Sequence, residues 1–148
     1  MARKDEMTPS GHILIVDDQE NMCWVLSKLL ADRGHLVRTA QSGARALKAL
    51  DGFDCQVAVV DYRLPDADGL SLIAKMRSRL GDLRAILMSS YGSAALRNQA
   101  SEEHLFAYLD KPFNNDLMLE TIEAGIRAHD AGQAPAATTT LFPRRATT

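Results

Sequence analysis

The sequence predicts an α/β fold in which a β-strand and an α-helix alternate five times, giving a doubly wound parallel sheet. Short apolar runs recur five times at intervals of about 20 to 26 residues, with helical patterns between them. Three of the runs lack polar alternation, which is typical of strands buried on both faces. Because strands and helices alternate through short loops, we expect right-handed crossovers and helices on both faces of the sheet.

The five strands are predicted from the positions of the apolar runs, which are 12–16, 36–40, 56–60, 85–89 and 106–109. The first run contains the apolar letters ILIV, and the third contains VAVV. Runs of this length fit strands better than helices, which need ten or more residues.

Apolar residues at helical spacing predict four of the five helices. In chain order the stripes are Met22, Val25, Leu26, Leu29 and Leu30; Ala44, Leu47 and Leu50; Leu72, Ile73, Met76 and Leu80; and Leu119, Ile122 and Ile126. Gly34, Gly52 and Gly81 follow the first three stripes and mark their expected ends, and Ser42 is a candidate N-cap. The fourth helix, over 93–103, has the weakest pattern because its residues are small and polar.

The predicted domain runs from residue 11 to residue 130. Residues 1–10 are polar, and we expect a disordered N-terminus there. Residues 131–148 are rich in Ala, Thr and Pro, which indicates a flexible tail or linker. With 46% hydrophobic and 24% charged residues, the 148-residue chain can form a core without a metal or a disulfide to staple it.

The composition also argues against several classes of protein. A net charge of -2 predicts no direct nucleic-acid binding and no attraction to a membrane surface. No apolar run approaches the roughly 20 residues that span a bilayer, and the N-terminus lacks a signal-peptide pattern. Nothing after residue 130 has a helix-turn-helix pattern, and Arg144 and Arg145 form too short a basic patch. We therefore expect a cytoplasmic location, where Cys23 and Cys55 are reduced structural thiols.

Polar side chains stand where four of the predicted strands end. Asp17 and Asp18 follow the first strand, Asp61 follows the third, Ser89 ends the fourth and Lys111 follows the fifth. In open parallel sheets, ligands bind beyond the carboxyl ends of the strands. Three carboxylates at one edge repel each other, and Mg²⁺, which prefers oxygen ligands, relieves that repulsion.

This set of groups fits phosphoryl transfer. A carboxylate beside a metal can act as a nucleophile toward phosphorus, and Asp61 is the candidate. The metal and Lys111 would neutralise the phosphoryl oxygens, while the Ser89 hydroxyl binds one of them. Each residue alone also has a structural interpretation, as a helix or turn cap, a backbone-bonded hydroxyl or a solvated lysine. Their joint placement at strand ends favours the site. Asp66, Asp68 and Gly69 indicate a turn into the third helix.

Four segments resemble the receiver domain of two-component response regulators: ILIVDD (13–18), VVDYRLPDADGL (59–70), ILMSSYG (86–92) and YLDKPF (108–113). They occur in the family's order and at family-like spacings, and the resemblance as a whole covers about 120 of the 148 residues. The resemblance implies a flavodoxin-like (βα)5 fold with strand order 2-1-3-4-5. WVLSKLL (24–30) is similar to receivers of enhancer-binding activators of the nitrogen-regulation type.

The resemblance assigns the acidic residues to a metal and phosphoacceptor site. It implies that Asp61 is the phosphoacceptor and that Asp18 binds Mg²⁺ directly, with Asp17 reaching the metal mainly through water. The backbone carbonyl of Arg63 would be a third protein ligand. The three carboxylates and this carbonyl together form the expected Mg²⁺ site.

The same resemblance assigns a switch. Ser89 would move toward the phosphoryl group, Lys111 would pair with it, and Tyr108 would turn inward. Pro112 would follow a cis peptide bond. Ser90 stands where Ala or Gly is usual in the family, but it is small enough to leave access to the acceptor.

The implied function is that of a signalling phosphoacceptor, not an enzyme, although it catalyses its own phosphorylation and slow autodephosphorylation. The partner would be a sensor histidine kinase or a phosphotransfer protein. Phosphorylation would change the face made by the fourth helix, fifth strand and fifth helix, and this face could form a homodimer or bind an output partner. Arg63 and Tyr91 occupy positions where the family varies its dephosphorylation rate, and their bulk indicates slower attack by water.

Two other functions remain open at this stage. A receiver-like scaffold that works without phosphate is disfavoured by the intact Asp17, Asp18, Asp61 and Lys111. A phosphohydrolase of the haloacid-dehalogenase type needs a second Asp two residues after its nucleophile, and here that residue is Arg63.

Overall fold

A computed structural model describes residues 10–132 and contains one five-stranded sheet within them. The strands are β1 His12–Val16, β2 Leu36–Ala40, β3 Val57–Asp61, β4 Arg84–Ser89 and β5 Ala107–Asp110. They are all parallel and lie in the order β2-β1-β3-β4-β5. The predicted fold class and strand order are confirmed.

Each strand is followed by a helix, as predicted. The helices are α1 Glu20–Asp32, α2 Gly43–Ala49, α3 Gly69–Arg79, α4 Ala94–Glu102 and α5 Asn115–Asp130. The weakly patterned fourth helix does form, and the Ser93 hydroxyl caps it by accepting a hydrogen bond from the amide of Leu96 at 3.1 Å. A side-chain cap of this kind satisfies an N–H group that has no partner inside the helix.

Two other helix ends follow the sequence signals. Ser42 caps α2, where its hydroxyl accepts from the amide of Arg45 at 3.1 Å. Gly34 lies just after α1 with φ +91°, a left-handed conformation that glycine adopts without steric penalty. Its amide donates to the carbonyl of Ala31 at 2.9 Å, so it ends the helix as predicted.

The core lies on both faces of the sheet, because successive residues of a strand point to opposite sides. Leu14 and Val60 pack in the cluster on one face, and Ile13 and Val59 pack in the cluster on the other. Strands β3 and β4 are buried over their whole length, and β1 is buried beyond its first residue. Strand β2 is the exception, since it lies at an edge and exposes 58% of Leu36.

Some predicted details differ from the structure. Strands β3 and β5 each lie one residue further along the chain than the predicted runs 56–60 and 106–109, so that Asp61 is the last residue of β3 rather than the first loop residue. Val25, predicted to lie on the buried stripe of α1, is 38% exposed because only one side of that stripe reaches the sheet. Cys23 and Cys55 are both buried with free thiols.

Within the described residues, no helix has the length and hydropathy required to cross a membrane. The predicted disordered N-terminus and the predicted flexible C-terminal tail fall almost entirely on residues 1–9 and 133–148. These residues lie outside the part of the chain that the structure describes.

Candidate functional site

The parallel sheet brings the three predicted acidic residues to one edge. Asp17 follows β1 directly and is fully buried, while Asp61 ends β3 and is 7% exposed. Asp18 lies next to them on the exposed side. One carboxylate oxygen from each residue lies within 4.8 Å of the others. The prediction that these side chains meet at the carboxyl ends of the strands is correct.

Lys111 reaches into this group from the end of β5. Its Nζ donates to Asp17 Oδ2 at 2.7 Å and lies 3.2 Å from Asp61 Oδ1. The Lys111 side chain is only 9% exposed. The lysine therefore bridges the two most buried carboxylates, and charge-assisted hydrogen bonds of this length are among the stronger polar interactions in proteins.

The charges of this cluster are not balanced. Burial raises the pKa of Asp61, and the nearby charge of Asp17 raises it further, although Lys111 acts in the opposite direction. Burial by itself lowers the pKa of Lys111, but its hydrogen bond to Asp17 and the charges of both carboxylates outweigh that effect, so the pKa is raised. Three acids thus share one ammonium, and additional positive charge would stabilise the cluster.

The donor set fits a hard divalent cation. Asp17, Asp18 and Asp61 supply oxygen atoms alone, and the exposed position of Asp18 leaves room for the waters that Mg²⁺ usually keeps. The backbone carbonyl of Arg63 as a further ligand stays a prediction. The guanidinium group of Arg63 lies elsewhere, 4.4 Å from the centroid of the Tyr91 ring.

Asp17 also supports the start of α1, although the N-cap that an acidic pair before a helix would suggest is instead Gln19. Its Oδ1 accepts a hydrogen bond from the amide of Gln19 at 2.9 Å. Gln19 is the N-cap residue of α1, and its own side chain makes no capping bond. The same carboxylate therefore supports the start of α1 and pairs with Lys111, so the two interpretations of Asp17 are compatible.

Ser89 ends β4, on the strand beside Asp61. Its hydroxyl oxygen accepts from the amide of Tyr91 at 2.9 Å, and the same hydroxyl hydrogen-bonds to the side chain of Tyr108. Its backbone carbonyl accepts from the amide of Lys111 at 2.8 Å. The peptide bond between Lys111 and Pro112 is cis, as the resemblance implied.

Tyr108 is fully buried in this structure. Its hydroxyl donates to Asp110 Oδ1 at 2.9 Å. Burial, together with this hydrogen bond and the charge of Asp110, raises the pKa of Tyr108 to about 12. The ring thus lies inward, which is the position that the resemblance implies for Tyr108 after phosphorylation.

One acidic residue does more than the sequence analysis predicted. Asp66 was predicted only as part of the turn into α3. Its carboxylate accepts from the amides of Gly43 at 2.7 Å and Ala44 at 3.0 Å, and so caps α2. These hydrogen bonds lower the pKa of Asp66. A capping residue more than 20 residues away along the chain leaves no local pattern, because the usual cap signals lie within one helical turn.

Comparison with known proteins agrees with the fold and with the order of the motifs. Residues 13–123 match the model of the "Response regulator receiver domain" family. The DNA-binding transcriptional regulator NtrC of Escherichia coli K12 is 32% identical over 125 residues, which cover 84% of this chain and 27% of NtrC. FixJ of Bradyrhizobium diazoefficiens is 31% identical over 121 residues, covering 82% of this chain and 59% of FixJ. The chain therefore spans about a quarter of NtrC.

Solved structures agree as well. A CheY-like receiver domain from Methanospirillum hungatei superposes with a TM-score of 0.78 at 24% identity, covering 83% of this chain and 98% of that one. The beryllofluoride-activated NtrC4 receiver domain dimer gives 0.75 at 28% identity, covering 80% and 98%. A Burkholderia pseudomallei response regulator with a phosphorylated aspartic acid and a calcium ion gives 0.71 at 29%, covering 88% and 76%. Since the family model spans most of the chain, this protein belongs to the response regulator receiver domain family.

Proposed function

We propose that this chain accepts a phosphoryl group on Asp61, in a reaction that requires Mg²⁺, from the phosphohistidine of a sensor histidine kinase or a phosphotransfer protein. The observation that carries the proposal is the meeting of Asp17, Asp18, Asp61 and Lys111 at one edge of the sheet. The related Burkholderia protein, whose structure holds a phosphorylated aspartic acid, supports it.

The chemistry follows from the position of each group. A carboxylate oxygen of Asp61 attacks phosphorus, the bond from phosphorus to the histidine nitrogen breaks, and its electron pair stays on the imidazole. The product is an acyl phosphate on Asp61. Lys111 Nζ lies 3.2 Å from Asp61 Oδ1, so its ammonium group can pair with the negatively charged phosphoryl oxygens once they are bound to Asp61. The Ser89 hydroxyl can donate to one of these oxygens.

Asp17, Asp18, Asp61 and the backbone carbonyl of Arg63 would hold the Mg²⁺ ion. When bound, the ion supplies positive charge that offsets repulsion between the carboxylates and the phosphoryl oxygens.

Water reverses the modification by attacking the same phosphorus atom. The chain then returns to its starting form, so the phosphorylated state is a timed signal and not the product of a turnover enzyme. Arg63 and Tyr91, which pack together two positions after Asp61 and Ser89, shield this side of the site and slow the hydrolysis.

The phosphoryl group adds about -1.5 to -2 of charge, and Ser89 and Tyr108 relay its presence to the face formed by α4, β5 and α5. That face then dimerises or binds an output partner. The NtrC4 receiver is a dimer in its beryllofluoride-activated form, which supports dimerisation as one outcome of activation. The chain works in the cytoplasm with its kinase, and binding to DNA belongs to other parts of the signalling pathway.

Acetyl phosphate with Mg²⁺ tests the proposal without a cognate kinase. The wild-type chain should take up one phosphate that is stable in acid and labile in base, and intact-protein mass spectrometry would detect it. Asp61→Asn should take up none. Asp54→Asn is the matched control, since Asp54 is an exposed aspartate at the opposite edge of the sheet, and it should behave as the wild type. Undiminished uptake by Asp61→Asn would refute the assignment.

A further inference from the structure

A second cluster of charged groups surrounds Tyr108, away from the three acids. Tyr108 and Asp110 lie on β5, two residues apart, and therefore point to the same side of the sheet. The Tyr108 hydroxyl donates to Asp110 Oδ1 at 2.9 Å. The phenol is fully buried, and its polar end is satisfied by this carboxylate together with the side chain of Ser89.

Arg97 of α4 completes the cluster by contacting both Asp110 and the ring of Tyr108. Its Nη2 donates to Asp110 Oδ2 at 3.0 Å, and its guanidinium carbon lies 4.9 Å from the centroid of the Tyr108 ring. The two charged side chains are 23% and 28% exposed, so solvent only partly screens their pairing. Arg97 therefore contacts the face of the ring, while Asp110 binds the hydroxyl and the arginine at once.

Gly92, in the loop between β4 and α4, provides the space for this arrangement. A Cβ atom at residue 92 would overlap with Asp110 Oδ1 and with the Tyr108 hydroxyl. The backbone of Gly92 does not need a positive φ, so the effect of an alanine there would be to displace these two side chains. Three residues that do not belong to the acid site therefore surround Tyr108 in its inward position: Gly92, Arg97 and Asp110.

The cluster is directly connected to the phosphoacceptor site. Asp110 precedes Lys111 in the chain and pairs with Ser89 in the sheet. The amide of Lys111 donates to the carbonyl of Ser89 at 2.8 Å. A change in the position of Tyr108 or Asp110 would therefore shift Ser89 and Lys111, the two residues that would contact a phosphoryl group.

We propose that Arg97 and Asp110 act as positioning residues that hold Tyr108 inward before any phosphorylation, so that the phosphoryl-binding state is partly preformed. The inference rests on the proposed function, since it concerns the switch of that same site. A ligand that prefers one state binds more tightly when that state is already populated. Removal of the Arg97–Asp110 pair should therefore expose Tyr108 and weaken binding of a phosphoryl mimic.

The first experiment measures the position of Tyr108 without any phosphoryl ligand. The chain has three tyrosines, and labelling with fluorotyrosine gives three ¹⁹F signals that Tyr108→Phe assigns. The Tyr108 signal of the wild type should show almost no shift between H2O and D2O, whereas Asp110→Ala and Gly92→Ala should make it solvent-sensitive. Asp51→Ala, which removes the exposed 2.7 Å pair of Asp51 with Arg79, is the control and should leave it unchanged.

The second experiment titrates beryllofluoride in the presence of Mg²⁺. Asp110→Ala and Gly92→Ala should weaken its apparent affinity by about tenfold, which corresponds to loss of a charge-assisted contact, and Asp51→Ala should not. A Tyr108 signal that is exposed in the wild type, or equally buried in Asp110→Ala, would overturn the positioning role alone. Absence of beryllofluoride binding to the wild type would instead overturn the proposed function, without affecting the Tyr108 measurement.

Discussion

At the scale of single residues, Asp61 occupies an environment that disfavours its own charge. Its pKa is raised, so the folded chain holds this proton to a higher pH than the unfolded chain does. The stability of the wild type therefore falls as the pH rises from the ordinary pKa of an aspartate through the raised one. Asp61→Asn cannot ionise, and it should melt at a higher temperature than the wild type at neutral pH without divalent metal.

Thermal unfolding in metal-free buffer between pH 4 and pH 8 checks this prediction, because the difference between variant and wild type should grow with pH. Lys111→Ala is the opposing control. It leaves the buried carboxylate of Asp17 without its ammonium partner and should lose about 2–4 kcal/mol at neutral pH. A variant Asp61→Asn that melts below the wild type at neutral pH would contradict the argument.

Tyr91 is the second residue whose role can be isolated. Its ring is 65% exposed, and it is held by the Arg63 guanidinium at 4.4 Å. If the ring shields the acceptor from water, its removal should speed hydrolysis of the phosphorylated chain about two- to fivefold, which corresponds to about 0.5–1 kcal/mol in the barrier. The decay of phosphoprotein after removal of acetyl phosphate measures the rate in Tyr91→Ala. Tyr91→Phe keeps the ring, so its phosphorylated form should decay as slowly as that of the wild type. Equal decay rates in Tyr91→Ala and Tyr91→Phe would exclude shielding by the ring.

At the scale of elements, α4 is held more firmly at its C-terminal end than its weak amphipathic pattern suggests. Arg77 of α3 donates to the carbonyls of Glu103 and His104, both at 2.6 Å. His104 has the left-handed backbone conformation, with φ 58°, and the two hydrogen bonds from Arg77 stabilise the turn that contains it. Because the arginine satisfies carbonyls that follow the last turn of α4, a movement of this helix would pivot about that end.

Replacement of Arg77 tests this anchor. Arg77→Ala should lower the free energy of unfolding by about 1–3 kcal/mol, because two charge-assisted hydrogen bonds and a partly buried aliphatic stem are lost. Lys75→Ala on the same helix removes an exposed cation and should change it by less than about 0.5 kcal/mol. Urea denaturation of both variants gives the comparison, and equal losses would mean that Arg77 does not anchor α4.

The elements also show which contacts a sequence can and cannot predict. Asp61 and Lys111 could be placed in one site because parallel strands end at the same edge, so their meeting follows from strand order alone. Asp66, Arg77 and Arg97 could not, because each reaches a partner outside its own element through a side-chain conformation that the sequence pattern does not specify. Periodicity identifies the buried face of a helix, but it carries no information about such long-range partners.

At the scale of the whole molecule, the candidate site lies at the carboxyl ends of the strands. A different polar network stabilises the opposite edge of the sheet, at the amino ends of the strands. His35, whose side chain is fully buried, accepts a hydrogen bond at Nδ1 from the amide of Gly11 at 3.0 Å. Its Nε2 donates to Glu123 Oε2 at 2.9 Å, and Arg33 donates to Glu123 Oε1 at 2.9 Å. One carboxylate of α5 thus joins the turn before β2 to the residue before β1.

Removal of this carboxylate should weaken the fold and leave the proposed phosphoacceptor site intact. Glu123→Ala leaves the buried Nε2–H of His35 without an acceptor, so the chain should lose about 2–4 kcal/mol and melt roughly 10 °C lower. Glu120→Ala removes an exposed carboxylate from the same helix and should melt within about 2 °C of the wild type. Both variants should still take up one phosphate from acetyl phosphate at 25 °C, since the network lies at the other edge of the sheet from Asp61. Similar melting temperatures for the two variants would show that the His35–Glu123 pair does not hold the elements together, and a selective loss of phosphate uptake in folded Glu123→Ala would show that the two edges are coupled.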